Sequence, residues 1–303
     1  MEKKITRKNF YMEIRRSFGL FISILFIVAL GVAFFSGIRA SEPSMRITGD
    51  AYFDESDLMD IKAVSTLGIT ENDVRAVRKV KGVEKVQGAY SADFLNIKNK
   101  KQYVLHVMSV MEDMNKVTVS EGRMPEKPGE CLVDDQMNYK VGETIKLRSE
   151  TDEKVTDTLK TKELKVVGKG NSPCYISLSR GSTTIGTGIV NGFVVVDENT
   201  FNLDVYTEMY VQVEGAKDLT AYTGAYKKKV KTVRKRIEAI TEERGKIRKE
   251  ELVGDAEEKL AKAQKKLDDG KAESQQKLSD AEKQITDGET QLSQAKEKIE
   301  SGK

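Results

Sequence analysis

The residues of this chain that could carry out chemistry are few and far apart. His106 is the single histidine among 303 residues, and it alternates with apolar residues in VLHVMSV (104–110), as in a β-strand. A metal site needs several such ligands together, and only Cys131 and Cys174 add to them. We therefore interpret His106 as a surface or hydrogen-bonded strand residue. For the two cysteines, separate thiols are favoured over a disulfide bridge.

Two further segments resemble functional loops only in composition. The acidic run DESDLMD (54–60) lacks the spacing of an EF-hand, which favours a solvated turn. GSTTIGTG (181–188) is rich in glycine, but no Lys-Ser or Lys-Thr pair follows its last glycine, so a hairpin is favoured over a phosphate-binding loop. No nucleophile stands in a pattern with a base. The sequence therefore predicts no catalytic residue, no cofactor, no metal site and no enzyme activity in this chain.

The segment EGRMPEKPGE (121–130) is the sharpest short motif. Its two prolines fix φ, and Gly129 permits a turn that other residues resist. The charges of Arg123, Glu126 and Lys127 could be taken for an active site. A rigid connector between two strands is the favoured interpretation.

The N-terminal region predicts a membrane helix. Residues 17–38 are 22 consecutive residues without a charge, which is long enough to cross the hydrocarbon core of a bilayer. A cleaved signal peptide is less favoured, because its apolar region is shorter and Ile38-Arg39-Ala40 is a poor cleavage site. Residues 1–16 carry six Lys and Arg, whereas residues 39–60 carry two. The positive-inside rule therefore predicts a cytoplasmic N-terminus (1–16) and an extracellular location for the residues after Ile38.

Residues 39–217 are predicted to form an extracellular α+β domain that is mostly antiparallel. Its best-defined part is a β-α-β unit: the strand IKAVST (61–66), a capping box at Thr70 and Asp73, a helix that ends near Gly82, and the strand VEKVQGAY (83–90). Further short strands are predicted by alternating apolar residues at 104–110, 143–149, 163–168, 192–197 and 208–214.

Residues 218–303 are predicted to form a long helix that is one arm of a coiled coil. No aromatic residue follows Tyr226, which disfavours a compact core there. Apolar residues recur at spacings of three and four, and large and small residues alternate in the last part of the seam: Leu278, Ala281, Ile285, Gly288, Leu292, Ala295 and Ile299. Small residues at every second seam position would let a partner helix approach closely, and an antiparallel return arm is the expected partner.

Several stretches together resemble a known family. The apolar N-terminal segment, residues 52–70, 121–130, 141–147 and 166–186 resemble FtsX/MacB-like ABC transporter permeases, in the large Firmicutes-type variant with a coiled coil inserted in the extracellular domain. The most specific element is the pattern G-R-x-P-x-x-P-G-E, formed by Gly122, Arg123, Pro125, Pro128, Gly129 and Glu130.

The resemblance implies a function that spacing alone does not. Such permeases sit in the lipid bilayer and couple a separate cytoplasmic ATPase subunit to an extracellular domain, for substrate export or for mechanotransmission to an extracellular protein such as a cell-wall hydrolase. A complete permease has further membrane helices, so we expect this chain to be an N-terminal part that lacks the return arm. The alternative is a single-pass, membrane-anchored surface protein whose coiled coil binds a wall or protein partner. The formal net charge of +3 is too small to indicate a nucleic-acid partner.

Overall fold

The computed structural model describes residues 2–150 and 154–302, which form helices, strands and short 3-10 turns. The helices are α1 (Glu2–Arg16), α2 (Phe18–Glu55), α3 (Glu71–Arg78), α4 (Val155–Thr158) and α5 (Gly224–Ser301). The strands are β1 (Ile61–Ile69), β2 (Val83–Ala89), β3 (Ser91–Lys98), β4 (Lys101–Ser109), β5 (Thr118–Gly122), β6 (Glu130–Asp134), β7 (Thr144–Arg148), β8 (Glu163–Asn171), β9 (Gly192–Val196) and β10 (Tyr206–Val213). The chain divides into two compact units, Met1–Ile240 and Thr241–Lys303.

Helix α2 contains the segment predicted to span a membrane. Among the described residues it is the one helix that is long and apolar enough to do so, by length and composition. Ser17 precedes its first turn, and the helix continues past Ile38 and Pro43 to Glu55. Large apolar side chains such as Leu30 and Phe34 are about 70% exposed, as a lipid-facing surface requires. The single N-terminal apolar helix of the prediction is therefore present, and it runs on into the domain.

The predicted β-α-β unit is present, with an insertion in its sheet. Strand β10 lies between β1 and β2 and pairs antiparallel with both, so β1 and β2 run parallel without touching. The capping box is confirmed: Thr70 accepts from the backbone N–H of Asp73, whose carboxylate accepts from the backbone of Thr70. The cap starts α3 in a register that buries Val74 and Val77 against the sheet. Full burial of a valine contributes about 1.5–3 kcal/mol relative to exposure, so these contacts hold α3 in place.

The larger sheet closes on itself. Its strands follow the order β5-β8-β6-β9-β4-β3-β7, and β7 also pairs with β8, so six strands form a ring with β5 attached to β8. Strands β4 with β9 and β6 with β8 are parallel, and the remaining pairings of the described strands are antiparallel. The ring encloses a core that includes Leu105, Val133, Ile145, Leu164 and Val194. Closure removes most free sheet edges, and the α+β expectation is confirmed.

Strands β3, β5 and β6 are not among those the sequence predicts. Strand β6 (ECLVD) is buried at all five positions, so it lacks the alternation that marks a half-exposed strand. Strand β5 (TVSEG) is short and mostly exposed, and its sequence is dominated by polar residues. Alternating apolar residues reveal strands with one face exposed to solvent. They do not reveal a strand that is buried on both faces, such as β6, or one that is mostly exposed, such as β5.

The start of α5 differs from the prediction. Residues 218–240 are assigned by the sequence to the coiled-coil arm, but the structure packs Val233 and Ile237 into the same core as Val74 and Val77. Tyr226, Val230 and Ile240 pack against this core as well. Residues 218–240 pack differently from the prediction because a spacing of three and four marks only an apolar helix face. Such a face can pack on a sheet as well as on another helix. The β1-β10-β2 sheet thus carries two helices, α3 and the first turns of α5.

The second unit, Thr241–Lys303, is helical over its described residues. The predicted seam is exposed: Leu278 and Ile285 are each 62% exposed, and Ile299 is 72% exposed. A long C-terminal helix is therefore present, and its pairing in a coiled coil stays a prediction.

Candidate functional site

The G-R-x-P-x-x-P-G-E motif lies between β5 and β6, and its first glycine sits where β5 pairs closely with β8. Gly122 ends β5 opposite Gly168 of β8, in the left-handed region with φ +75°. A Cβ on Gly122 would lie 2.2 Å from the carbonyl oxygen of Val167, and one on Gly168 would lie 2.2 Å from that of Arg123. Both positions therefore require glycine for close approach. The pair lets β5 leave the sheet at this point.

The rest of the motif closes the connector with an ion pair. Arg123 donates to Glu130 at 2.7 Å, and the backbone N–H of Glu126 donates to the same carboxylate at 3.2 Å. The Arg123 guanidinium holds the pKa of Glu130 at about 2, so this carboxylate stays charged. Pro125 is buried, and Gly129 turns the chain with φ +86°. The ion pair and these two residues fix the connector between β5 and β6.

A second cluster joins the end of α2 to β10 and to the loop between β4 and β5. The Asp57 carboxylate forms ion pairs with the Nζ atoms of Lys116 and Lys217, each at 2.7 Å. Its backbone carbonyl accepts from the backbone of Asn115 and from the side chain of Gln212 in β10. Hydrogen bonds from the two lysines lower the pKa of Asp57 to about 2. We call this cluster the Asp57 hub (Asp57, Asn115, Lys116, Gln212 and Lys217).

The two turns that meet in the hub have unusual backbones. Asp57 and Asn115 both adopt positive φ, at 50° and 51°. Asp and Asn tolerate this region better than other non-glycine residues. The side chain of Asn115 accepts from the backbone N–H of Met59 at 2.9 Å, which locks the two turns together. Asp57 belongs to the run that the sequence assigns to a solvated turn, so that assignment is wrong at this residue: the Asp57 side chain is 16% exposed.

The end of α2 also contacts the start of α5. The Asp50 carboxylate accepts from the backbone N–H of Ala221 at 2.6 Å, and the rings of Phe53 and Tyr222 lie 6.0 Å apart. Tyr226 donates its hydroxyl to Asp60 at 2.6 Å, and burial raises the pKa of both groups. The chain therefore enters the domain through α2 and leaves it through α5 at one place. We call this place the α2–α5 junction.

The remaining candidates of the sequence serve as structural contacts. His106 in β4 donates from Nδ1 to Asp93 of β3 at 2.6 Å, across a directly paired position. Burial raises the pKa of Asp93, but the hydrogen bonds from His106 and Thr183 outweigh it and the net pKa is lowered. Cys131 is buried and both thiols are free. In the glycine-rich segment Ser182 pairs antiparallel with Ile189, which is a hairpin as predicted.

A loop that the sequence does not single out is fixed by a buried ion pair. Arg180 forms two hydrogen bonds to the carboxylate of Asp134, at 2.6 and 2.9 Å, and both side chains are almost fully buried. Arg180 also donates to the carbonyls of Tyr175 and Ser177. Breaking such a pair leaves a buried charge without compensation, which costs about 3–5 kcal/mol. A lone Arg in SLSRGST gives no sequence signal for this role.

The sequence also misses the Asp57 hub, because its members are distant along the chain. Asp57 and Gln212 are joined only by the return of β10 between β1 and β2. The residue types did give a partial signal, since Asp and Asn in turns are typical of positive φ. No local pattern indicates which two turns meet.

Comparison with known proteins gives similarity to solved structures alone. No family model matches the chain, and no curated protein matches it. One similar structure is the extracellular domain of the noncanonic ABC-type transporter YknZ from Gram-positive bacteria, at 13% identity and a TM-score of 0.33, covering 55% of this chain and 80% of that one.

Two more similar structures come from other bacteria. The periplasmic region of MacB from Actinobacillus actinomycetemcomitans is 10% identical with a TM-score of 0.32, and covers 60% of this chain and 76% of that one. A domain of a protein described as a permease from Porphyromonas gingivalis is 14% identical with a TM-score of 0.30, and covers 52% and 76%. All three structures are described as domains of transporters or permeases.

Proposed function

We propose that this chain is the N-terminal part of the permease subunit of an ABC transporter, and that its α+β domain lies outside the cell. The observation that carries the proposal is the path of α2. The helix continues from the apolar segment into the domain without a break, and its end is fixed at the Asp57 hub and the α2–α5 junction. A helix that only anchored a surface domain would not need this fixation.

The path of α2 suits the coupling of motion across a membrane. A displacement of α2 would act on β10 through Gln212, on the loop between β4 and β5 through Lys116, and on the segment just before α5 through Tyr222. These contacts reach the small sheet, the loop that joins β4 to β5, and the chain that leads into the long helix. The domain would therefore respond as a body when the membrane helix moves, as export or mechanotransmission requires.

The energy source in this proposal is a separate cytoplasmic ATPase subunit. The test is to tag the full chain, purify it from its native host in mild detergent, and identify the proteins that accompany it. We expect a protein with a phosphate-binding loop, enriched over a control purification of an unrelated single-pass protein. Recovery of wall or surface proteins without any such ATPase would contradict the proposal and favour the membrane-anchored surface protein.

We further propose that the helix of residues 241–301 packs along its seam against an antiparallel helix. Large residues occupy one seam position (Leu278, Ile285, Leu292) and small ones the other (Ala281, Gly288). In an antiparallel pair a large side chain of one helix faces a small one of the other, so the layers fill evenly. A parallel pair of the same pattern would place glycine opposite glycine and leave gaps, which costs packing energy.

A further inference from the structure

A cleft of about 630 Å³ lies at the α2–α5 junction. This volume lies in the range of small-molecule sites. The cleft is formed by the end of α2, the turn before β1, Glu84 and Lys85 of β2, the end of β10 with the segment that follows it, and the first turns of α5. It lies wholly within the first unit, Met1–Ile240.

One end of the cleft is aromatic and acidic. The rings of Phe53, Tyr222 and Tyr226 follow one another at centroid distances of 6.0 and 6.4 Å. The carboxylates of Asp50 and Asp54 lie on successive turns of α2 beside them. Aromatic faces together with carboxylates are the surroundings that bind an organic ammonium group.

Tyr222 is held in a backbone conformation that bulky residues rarely adopt, with φ +63°. Its side chain is 59% exposed, so burial of the ring does not account for the strain. Such strain costs about 1–3 kcal/mol and is characteristic of ligand sites. Here the strained residue places an aromatic ring on the cleft.

Basic residues also line the cleft along α5. Lys227 follows Tyr226 directly and so lies near the aromatic rings, whereas Lys231 and Arg234 lie further along the same face of the helix and form the basic end. Arg234 pairs with Glu238 at 3.1 Å, and Lys217 is engaged with Asp57. From Tyr226 to Arg234 the helix rises about 12 Å. One extended small molecule can span the distance from the aromatic rings to this basic end.

We infer that this cleft binds a zwitterionic small molecule, with a protonated amine at the Asp50–Asp54 end and an anionic group at the Lys231–Arg234 end. A lipid headgroup of the bilayer is the poorer candidate. Asp50 lies twelve residues beyond Ile38, or about 18 Å along α2. The headgroup layer extends only about 5–8 Å beyond the hydrocarbon core, so the ligand comes from solution.

The test uses three tetrapeptides on the full chain in detergent: tetra-alanine, its N-acetylated form, and its C-terminal amide. Extended tetra-alanine spans about 13 Å, which matches the two charged ends. We expect saturable binding of the zwitterion by calorimetry, and at least about tenfold weaker binding of each capped form because each loses one charged contact. Equal binding of all three peptides, or no saturable binding of the zwitterion, would overturn the inference.

Two pairs of variants locate the site. Asp54→Asn and Lys231→Glu change residues that line the cleft, and each is expected to weaken tetra-alanine binding by about tenfold. Glu55→Gln and Lys235→Glu are the matched controls, since these exposed neighbours on the same helices do not line the cleft. Thermal unfolding of all four variants checks that the fold is retained. Binding that weakens equally in the lining and control variants would contradict the assignment, and the result does not depend on any ATPase partner.

Discussion

At the scale of single residues, the features that matter most here are backbone geometry and fixed charge. Gly122 and Gly168 let β5 and β8 approach each other closely, and the ion pair of Arg123 with Glu130 holds the connector that follows. Asp57 fixes the end of α2 with two lysines. Each of these groups sets the position of a whole element.

Replacing Gly122 by Ala separates close approach from backbone strain. The new Cβ would meet the Val167 carbonyl oxygen at 2.2 Å in addition to the strain of φ +75°. We expect a loss of about 3 kcal/mol in the free energy of unfolding, measured by denaturant titration. Gly129→Ala is the matched control, because it has φ +86° with no atom within 4 Å of the Cβ. It should cost only about 1 kcal/mol. Equal losses in the two variants would show that contact at Gly122 does not matter.

Replacing Asp57 by Asn tests the hub through its pH dependence. Asparagine tolerates positive φ, so the change removes charge and little else. We expect Asp57→Asn to lower the free energy of unfolding by about 1 kcal/mol at pH 7, because both lysine partners are half exposed. The pKa of Asp57 is lowered to about 2, so its contribution is complete above the unfolded-state value near 4 and is lost as pH falls toward 2. A difference between wild type and variant that persists unchanged at pH 2 would contradict this origin.

At the scale of elements, α5 combines two roles that the sequence pattern cannot separate. Its first turns complete the core around Val74 and Val77, while residues from Thr241 onward form a unit of their own. Apolar spacing predicted both stretches as helix, and correctly so. The type of partner, sheet or helix, depends on which surfaces the rest of the chain brings nearby, and local periodicity does not contain that information. The absence of aromatic residues after Tyr226 does not mark the boundary either, since Val233 and Ile237 pack in the core beyond it.

A leucine at Gly288 tests whether the seam of the second unit has a partner helix. Gly288 lies on the seam and Gly245 lies off it, and a Cβ added at either position would have no atom within 4 Å. Each Gly→Leu change should gain helix propensity by about 0.8 kcal/mol. We expect Gly245→Leu to raise the thermal stability of the full-length domain and Gly288→Leu to lower it, because leucine would block close approach of the partner. An increase in thermal stability from both changes would contradict the proposed packing.

At the scale of the whole molecule, the general organisation followed from the sequence, but the ring of strands did not. The apolar helix, the capped α3 and several of the strands are marked by run length, capping residues and alternation. Closure of the ring depends on β7 pairing with both β3 and β8, which is a long-range choice. The sequence does not predict the α2–α5 junction either, because its two helices are brought together only in the complete domain.

The orientation of the chain in a membrane is tested by cysteine labelling. In a chain carrying Cys174→Ser, single cysteines are placed at Lys8 in α1 and at Glu126 in the exposed connector, while the buried Cys131 stays unreactive. We expect a membrane-impermeant maleimide added to intact cells to label the cysteine at 126 and not the one at 8, because the basic N-terminus remains inside. Labelling of the cysteine at 8 alone would reverse the topology, and permeabilised cells provide the control for reactivity.

The central position of β10 also determines the order in which the domain can fold. The ring is complete once Val196 is available, but β1 and β2 have no strand between them until Tyr206–Val213 arrive. At about 5–20 residues per second of synthesis, the interval from residue 90 to residue 206 lasts on the order of ten seconds. During that time the apolar faces of β1, α3 and β2 are uncovered. The strands of the ring are therefore all synthesised before the small sheet can be completed, and α2 is synthesised well before the contacts that fix its end exist.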